Sequence, residues 1–273
     1  MMREPQTHER MNGETRLHLC VGDPIAQVKS PEGLTREFAA REVNAVCVPA
    51  HVPADSLVAF MAAAKHTRNV DGLVITVPHK FSAFAHCEVT SERARIVGAI
   101  NVMRRERDCR WFGDMTDGIA LLVALRERGF DPKASTALLA GAGGAGSAVA
   151  LALVEAGISE LAICDVDAAR RDALIGRLKA LGTRAGVHAG APDPSGYAVV
   201  VNATPAGMAP GDPLPLDADR IDQRAFVADL ISRPVMTPLL LAARTRGASI
   251  VTGEDMFAPQ KKILVDFLLG APV

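Results

Sequence analysis

Apolar and polar positions alternate along this chain on two periods. RLHLCVG (16–22), AVCVPA (45–50) and GLVITVP (72–78) are short apolar runs, the pattern of strands buried in a sheet. Between them, SPEGLTREFAAREV (30–43) and PADSLVAFMAAAKH (53–66) predict helices. Ser30 suits an N-cap, Pro31 the first helical position and Glu32 the first turn. GAINVMRR (98–105) and CRWFG (109–113) predict two shorter strands that could form a hairpin. DGIALLVALRERG (117–129) predicts a connecting helix ending on glycine. The alternation then restarts. An apolar strand (136–140) runs into a glycine loop and a helix of small residues, followed by strand ISELAICDV (158–166) and helix AARRDALIGRLKALG (168–182). GYAVVVNATPAGM (196–208) is a strand entering a Gly/Pro loop. RAFVADLI (224–231), TPLLLAARTRG (237–247) and ASIVTG (248–253) predict strand, helix and short strand. EDMFAPQKKILVDFLL (254–269) is a final helix with Pro259 in its early part. Repeated strand–helix units predict an α/β protein with mostly parallel sheets. The pattern breaks near 114–118. Residues 1–115 are expected to form a first domain, 116–252 a second, and 253–273 to fold back onto the first.

Composition narrows the function more than the fold. The chain has 273 residues, enough for two domains with real cores. Net charge is −1, and only one Trp and one Tyr occur, so neither an anionic membrane surface nor nucleic acid is an expected partner. Five cysteines, an odd number without a CxxC pair, suit buried free thiols in a reducing compartment. Seven histidines show no ligand spacing, so no metal is expected. MMREPQTHERMNGETR at the start is polar and unlike a signal peptide, and no apolar run reaches the roughly 18 residues of a membrane span. A cytoplasmic monomer or homodimer is expected.

LLAGAGGAGSAVALAL contains Gly141-x-Gly143-x-x-Gly146 between an apolar strand and a helix. This is the context of a Rossmann dinucleotide-binding turn. The first glycine permits the tight turn, the second lets a pyrophosphate approach the backbone, and the third packs helix against strand. A tight packing turn without ligand is the plainer alternative. About twenty residues on, Asp165 ends the next strand, where a carboxylate hydrogen-bonds a ribose 2′-hydroxyl and repels a 2′-phosphate. That favours NAD over NADP, although Arg170 and Arg171 lie close enough in sequence to meet a phosphate. Asp165 could equally cap the following helix.

Lys80 sits just past the apolar run 73–77. It is either a charge stepping into solvent or a lysine facing a substrate. Eight segments decide between them: VGDPIAQVKSP, GLVITVPHK, GAINV, GDMTDG, GAGGAG, NATPAGM, DLISRPVMTPLL and GEDMFAPQ. In this order and spacing they resemble the shikimate dehydrogenase family across nearly the whole chain. The resemblance implies an N-terminal α/β substrate-binding domain and a Rossmann NAD(P) domain with a cleft between them. It implies reversible hydride transfer between the nicotinamide and a cyclic hydroxy acid, shikimate or quinate. The family's catalytic lysine and aspartate fall on Lys80 and Asp117, and its substrate ligands on Ser30, Thr76, Asn101 and Gln260. Its cofactor contacts fall on Gly141, Gly143, Gly144, Ala145, Gly146, Asp165, Asn202, Thr204, Met208 and Gly253.

The chemistry agrees. Reducing a ketone needs a hydride on carbon and a proton on oxygen, and a lysine can supply the proton. The plainer roles are a helix cap for Asp117, a buried turn for Asn101 and a helix surface for Gln260. The chain departs from the family on the substrate side. Val28 stands where a carboxylate-binding serine is usual, Val74 and Met115 where asparagines are usual, and Ser232 where a tyrosine is usual. Losing one hydrogen bond to a charged group costs about 1.5–3 kcal/mol. A divergent enzyme of altered substrate pocket is therefore expected. A non-catalytic NAD-binding metabolite sensor is the competing class, and a methylene-folate dehydrogenase the competing enzyme. Intact Lys80 and Asp117 argue against the sensor.

Overall fold

The computed structural model describes residues 11–271 and 273. The first ten residues, part of the polar segment set against a signal peptide above, lie outside it. The chain divides into two compact units, one ending at Thr116 and rejoined by Gln260–Val273, the other Asp117–Pro259.

The first unit is built on a six-stranded sheet of order β2-β1-β3-β5-β6-β4. β1 (Arg16–Gly22), β2 (Ala45–His51) and β3 (Val70–Ile75) are parallel, joined by helices α1 (Ser30–Ala40) and α2 (Leu57–His66). The sheet then turns antiparallel. β5 (Val102–Arg105) and β6 (Trp111–Asp114) form the hairpin, with the two-residue β4 (Val89–Thr90) beside β6. The sheet is thus mixed: β5 pairs antiparallel with both β3 and β6, since a short turn can join only antiparallel strands, while β1-β2, β1-β3 and β4-β6 are parallel, so parallel pairing still predominates as expected. Two short helices, α3 (Lys80–Phe84) and α4 (Glu92–Val97), went unread in the sequence since five or six residues carry no readable period. Strand β3 ends at Ile75, earlier than the apolar run suggested, and Thr76–His79 is a turn closed by His79 N–H on the Thr76 carbonyl (2.9 Å). Helix α1 stops at Ala40, and Lys29, not Ser30, is its N-cap residue.

Arg105 ties the hairpin to α2. Its guanidinium donates to the carbonyls of Ala64, Lys65 and Val70 and lies 4.6 Å over the Trp111 ring. It meets the Lys65 carbonyl, one of those the helix end leaves without a partner further along the helix, and shares the Ala64 carbonyl with Thr67 N–H.

His18, on β1, is buried and stacks on Phe38 at 4.6 Å. Burial pushes its imidazole down to about 4, against a smaller upward pull from Asp71 and a further downward push from Arg16. The folded state refuses a proton that the unfolded chain accepts below its ordinary value near 6.5. Stability from this residue is therefore complete above pH 6.5 and is lost as pH falls from 6.5 towards 4, by roughly 3 kcal/mol in all. Urea midpoints at pH 7 and pH 5 check this: the wild type drops between them, and His18→Leu drops markedly less. Equal drops for the two proteins would remove His18 as the cause.

The second unit carries a wholly parallel sheet of order β12-β11-β10-β7-β8-β9. Its strands are β7 (Thr136–Ala140), β8 (Glu160–Cys164), β9 (Gly186–Ala189), β10 (Val199–Asn202), β11 (Phe226–Asp229) and β12 (Ser249–Val251). Counted from β7, this is the doubly wound order 3-2-1-4-5-6, whose switch point lies between β7 and β10. Helices α5 (Asp117–Glu127), α6 (Gly144–Glu155), α7 (Ala168–Ala180) and α8 (Pro238–Thr245) complete it. Gly118 is required on α5, since a Cβ there would stand 2.1 Å from the Ala148 carbonyl oxygen on α6. Helix α9 (Gly253–Leu268), with Pro259 inside it, begins in the second unit and ends in the first.

Among the described residues no helix is long and apolar enough to cross a membrane, and no group of three or more His, Cys, Asp or Glu could hold a metal ion.

Candidate functional site

In the first unit, four sequence-predicted residues gather around the carboxyl ends of β1 and β3. Thr76 follows β3, donates its N–H to the Val21 carbonyl (2.9 Å) and lies so close to Gly22 that a Cβ there would be 2.4 Å from its methyl. Lys80 is half-buried at the start of α3, and its carbonyl accepts from Ile100 N–H (2.9 Å). The carbonyl of Asn101 accepts from Ile75 N–H (2.7 Å), which seats Asn101 beside Thr76. Ser30 opens α1, and its hydroxyl is hydrogen-bonded to the Cys20 thiol, on which the Lys80 ammonium also acts. Cys20 is buried, and burial pushes its thiol up to about 12, so it stays protonated and unreactive. Cys47 and Cys164 are buried too, but Cys109 is exposed at the hairpin, against the expectation for all five.

Asn101 is itself held firmly. It is 2% exposed; its Oδ1 accepts from Thr116 N–H (2.8 Å) and its Nδ2 donates to Thr116 Oγ1 (3.0 Å). Thr116 escaped the sequence reading, although GDMTDG contains it. Val74 and Met115, two of the family departures, are buried apolar residues of this unit. Gln260 is half-buried on α9.

In the second unit the glycine loop follows β7. Gly141 has φ +100°, open only to glycine without strain, and a Cβ there would crowd the Ala203 backbone at 2.9 Å. Gly143 is the N-cap residue of α6 and has nothing within 4 Å of a Cβ position, leaving room against the free N–H groups of the helix start. Gly144 and Ala145 are the first two residues of that helix. A Cβ on Gly146 would stand 2.0 Å from the Gly141 carbonyl oxygen, which is the close packing the motif demands. The loop fits a dinucleotide pyrophosphate on the grounds of that open space and those amides.

Asp165 does not cap α7. Asp167 does, accepting from Arg170 N–H (3.0 Å). Asp165 instead braces the loop: one oxygen accepts from Ala142 N–H (2.6 Å), the other from Asp167 N–H (2.8 Å). Each carboxylate oxygen has a second lone pair, so a ribose hydroxyl can still bond there. Arg170 is paired with Asp167 and Arg171 with Asp172.

Across the switch point, Asn202 ends β10 and organises the next loop. Its Oδ1 accepts from Thr204 N–H and Oγ1 (3.0 and 2.7 Å), and its Nδ2 donates to Asp229 Oδ1 (3.1 Å). Asp229 also accepts from Thr237 Oγ1 (2.7 Å) and Ile231 N–H (3.1 Å). Burial holds the Asp229 carboxyl above the usual carboxylate range, against these hydrogen bonds. Asp229 and Thr237 were missed in the sequence; an acid closing an apolar strand was the available signal. Met208 is exposed at the end of this loop, and Gly253 packs its Cα against the Ile231 carbonyl. Asp117 is buried at the start of α5.

Residues 20–103 match the family model described as the shikimate dehydrogenase substrate binding domain. A shikimate dehydrogenase (NADP(+)) of Rubrobacter xylanophilus is 40% identical over 255 residues, 92% of this chain and 89% of the relative. Shikimate 5-dehydrogenase from Thermus thermophilus, solved in complex with NADP(H) and shikimate, superposes with a TM-score of 0.82 at 27% identity, covering 94% of each chain. Quinate dehydrogenase from Corynebacterium glutamicum in complex with NAD superposes with a TM-score of 0.81 at 27% identity, again over 94% of each. With a glycine loop on a doubly wound sheet, a substrate-domain match and a full-length relative at this identity, the chain belongs to the shikimate dehydrogenase family.

Proposed function

We propose that this protein catalyses reversible hydride transfer between a nicotinamide dinucleotide and a cyclic hydroxy acid of the shikimate or quinate type, with NAD the preferred cofactor. The observation that carries the reading is the gathering of Ser30, Thr76, Lys80 and Asn101 at the ends of β1 and β3. In the reducing direction Lys80 gives a proton to the carbonyl oxygen; in the oxidising direction its neutral amine takes the hydroxyl proton. Asn101 and Thr76 direct hydrogen bonds at ring hydroxyls, Gln260 adds a further polar contact, and Ser30 meets the acid group. Asp117 fixes a substrate hydroxyl. When bound, the dinucleotide supplies or takes the hydride. Gly141–Gly146 would cradle its phosphates, Asp165 would meet its adenosine ribose, and Asn202, Thr204, Met208 and Gly253 would line its nicotinamide end.

The cofactor choice rests on this chain's own residues. The Rubrobacter relative is named for NADP(+) and the Corynebacterium structure contains NAD. The carboxylates of Asp165 and Asp167, just past β8, would repel a 2′-phosphate bound there, and the nearby Arg170 and Arg171 are paired with Asp167 and Asp172, which supports NAD. We expect kcat/KM for NAD to exceed that for NADP by about tenfold or more, the scale of one charged hydrogen bond. Asp165→Ser should narrow that ratio, chiefly through the KM for NAD. Initial rates of NAD and NADP reduction with shikimate and with quinate test the reading. Saturable reduction with either acid supports it; no reduction with any pairing, while the protein still binds NAD, would favour a metabolite sensor.

A further inference from the structure

We infer that the Arg93–Asp114 ion pair positions the substrate side of the site without touching substrate; this rests on the role proposed above for Asn101. Asp114 ends β6 and is 2% exposed. Its carboxylate takes four donors. Arg93 grips it with a fork, Nε to Oδ1 at 2.8 Å and Nη2 to Oδ2, while Ser91 Oγ and Met115 N–H (2.7 Å) both donate to Oδ1. Ser91 also caps α4 by accepting from Ala94 N–H, so the cap and the ion pair are one assembly.

The consequence runs along the chain. Asp114 gives its carbonyl to Asn101 N–H (3.0 Å), and its side chain sets the direction of Met115 N–H. Met115 leads into Thr116, whose N–H and hydroxyl hold the Asn101 amide group. The side chain expected to bond a ring hydroxyl is therefore aimed by a carboxylate two residues before Thr116, and that carboxylate is aimed by Arg93. A bidentate fork fixes an angle that a lysine's point charge does not.

The test compares Arg93→Lys, Arg93→Ala and Asp114→Asn with wild type, well below each protein's unfolding midpoint. We expect the folded Arg93→Lys protein to show a KM for shikimate or quinate raised about tenfold, the scale of one charged hydrogen bond, with the KM for NAD unchanged. Millimolar guanidinium should partly restore the substrate KM of Arg93→Ala, and sodium chloride at equal ionic strength should not. Wild-type substrate KM in folded Arg93→Lys and Arg93→Ala, whatever their midpoints, would reduce the pair to a structural tie and overturn the inference. If wild type turns over neither acid, the proposed function fails and the pair is judged by amide exchange. Faster exchange of Met115 and Thr116 confined to that turn in Asp114→Asn would uphold the positioning, and unchanged exchange would overturn it.

Discussion

Lys80→Ala is expected to lower kcat by about 10²–10⁴-fold, the range of a positioned acid–base group, while leaving NAD affinity unchanged. No neighbour can take over. The Cys20 thiol, which shares Ser30 and Lys80 as neighbours, is pushed by burial up to about 12 and cannot exchange a proton usefully near neutrality. His79, the residue before Lys80, is buried with its Nε2 on the Val52 carbonyl at 2.6 Å. That bond turns its ring towards β2's end and commits it there. Lys80→Arg is expected to be nearly as slow, because a guanidinium keeps its proton. Steady-state rates on the three proteins check this, and near-wild-type kcat in Lys80→Ala would remove the lysine from the chemistry.

The second large effect separates two glycines of one loop. Gly146→Ala is expected to lose both stability and cofactor affinity, since its methyl would meet the Gly141 backbone at 2.0 Å and no flexible side chain can yield. Overpacking of that kind costs about 1–3 kcal/mol or more. Gly143→Ala is expected to keep its thermal midpoint, because its Cβ meets nothing within 4 Å and its φ of −69° suits alanine. The same methyl occupies the space left for the pyrophosphate, so NAD affinity should fall by about tenfold or more. Thermal midpoints with NAD titrations resolve the pair. Equal midpoints for the two variants would contradict the packing role of Gly146, and unchanged NAD affinity in Gly143→Ala would contradict the phosphate cradle.

The second unit was the more legible in sequence, for a physical reason. Parallel strands need long crossover connections, and here three of them carry the helices α6, α7 and α8, eight to thirteen residues long, whose periods are readable. What was missed there is short: β9, four residues with one buried side chain, and the single 3-10 turn Ala218–Arg220. The first unit changes from parallel to antiparallel after β3, and its short pieces β4, α3 and α4 fall below the length at which a pattern is readable. Single residues behaved similarly. Lys80, Asn101 and the glycine loop could be proposed from sequence because their local motifs are short and contiguous. Asp229 was not, because its partners Asn202 and Thr237 lie 27 and 8 residues away. Arg93 and Asp114 are 21 residues apart and meet only once the hairpin has formed. Caps slipped by one or two positions, from Ser30 to Lys29 and from Asp165 to Asp167, where several polar residues stand in a row.

The central claim, hydride transfer from a cyclic hydroxy acid to a nicotinamide, is tested most directly with shikimate or quinate deuterated at the carbon to be oxidised. Mass analysis of the cofactor after turnover reads where the label goes. The account predicts one deuterium on the reduced nicotinamide, with the same label transferred far more slowly by Lys80→Ala. A reduced cofactor without label, or no labelled cofactor from either acid with NAD or NADP, would contradict it.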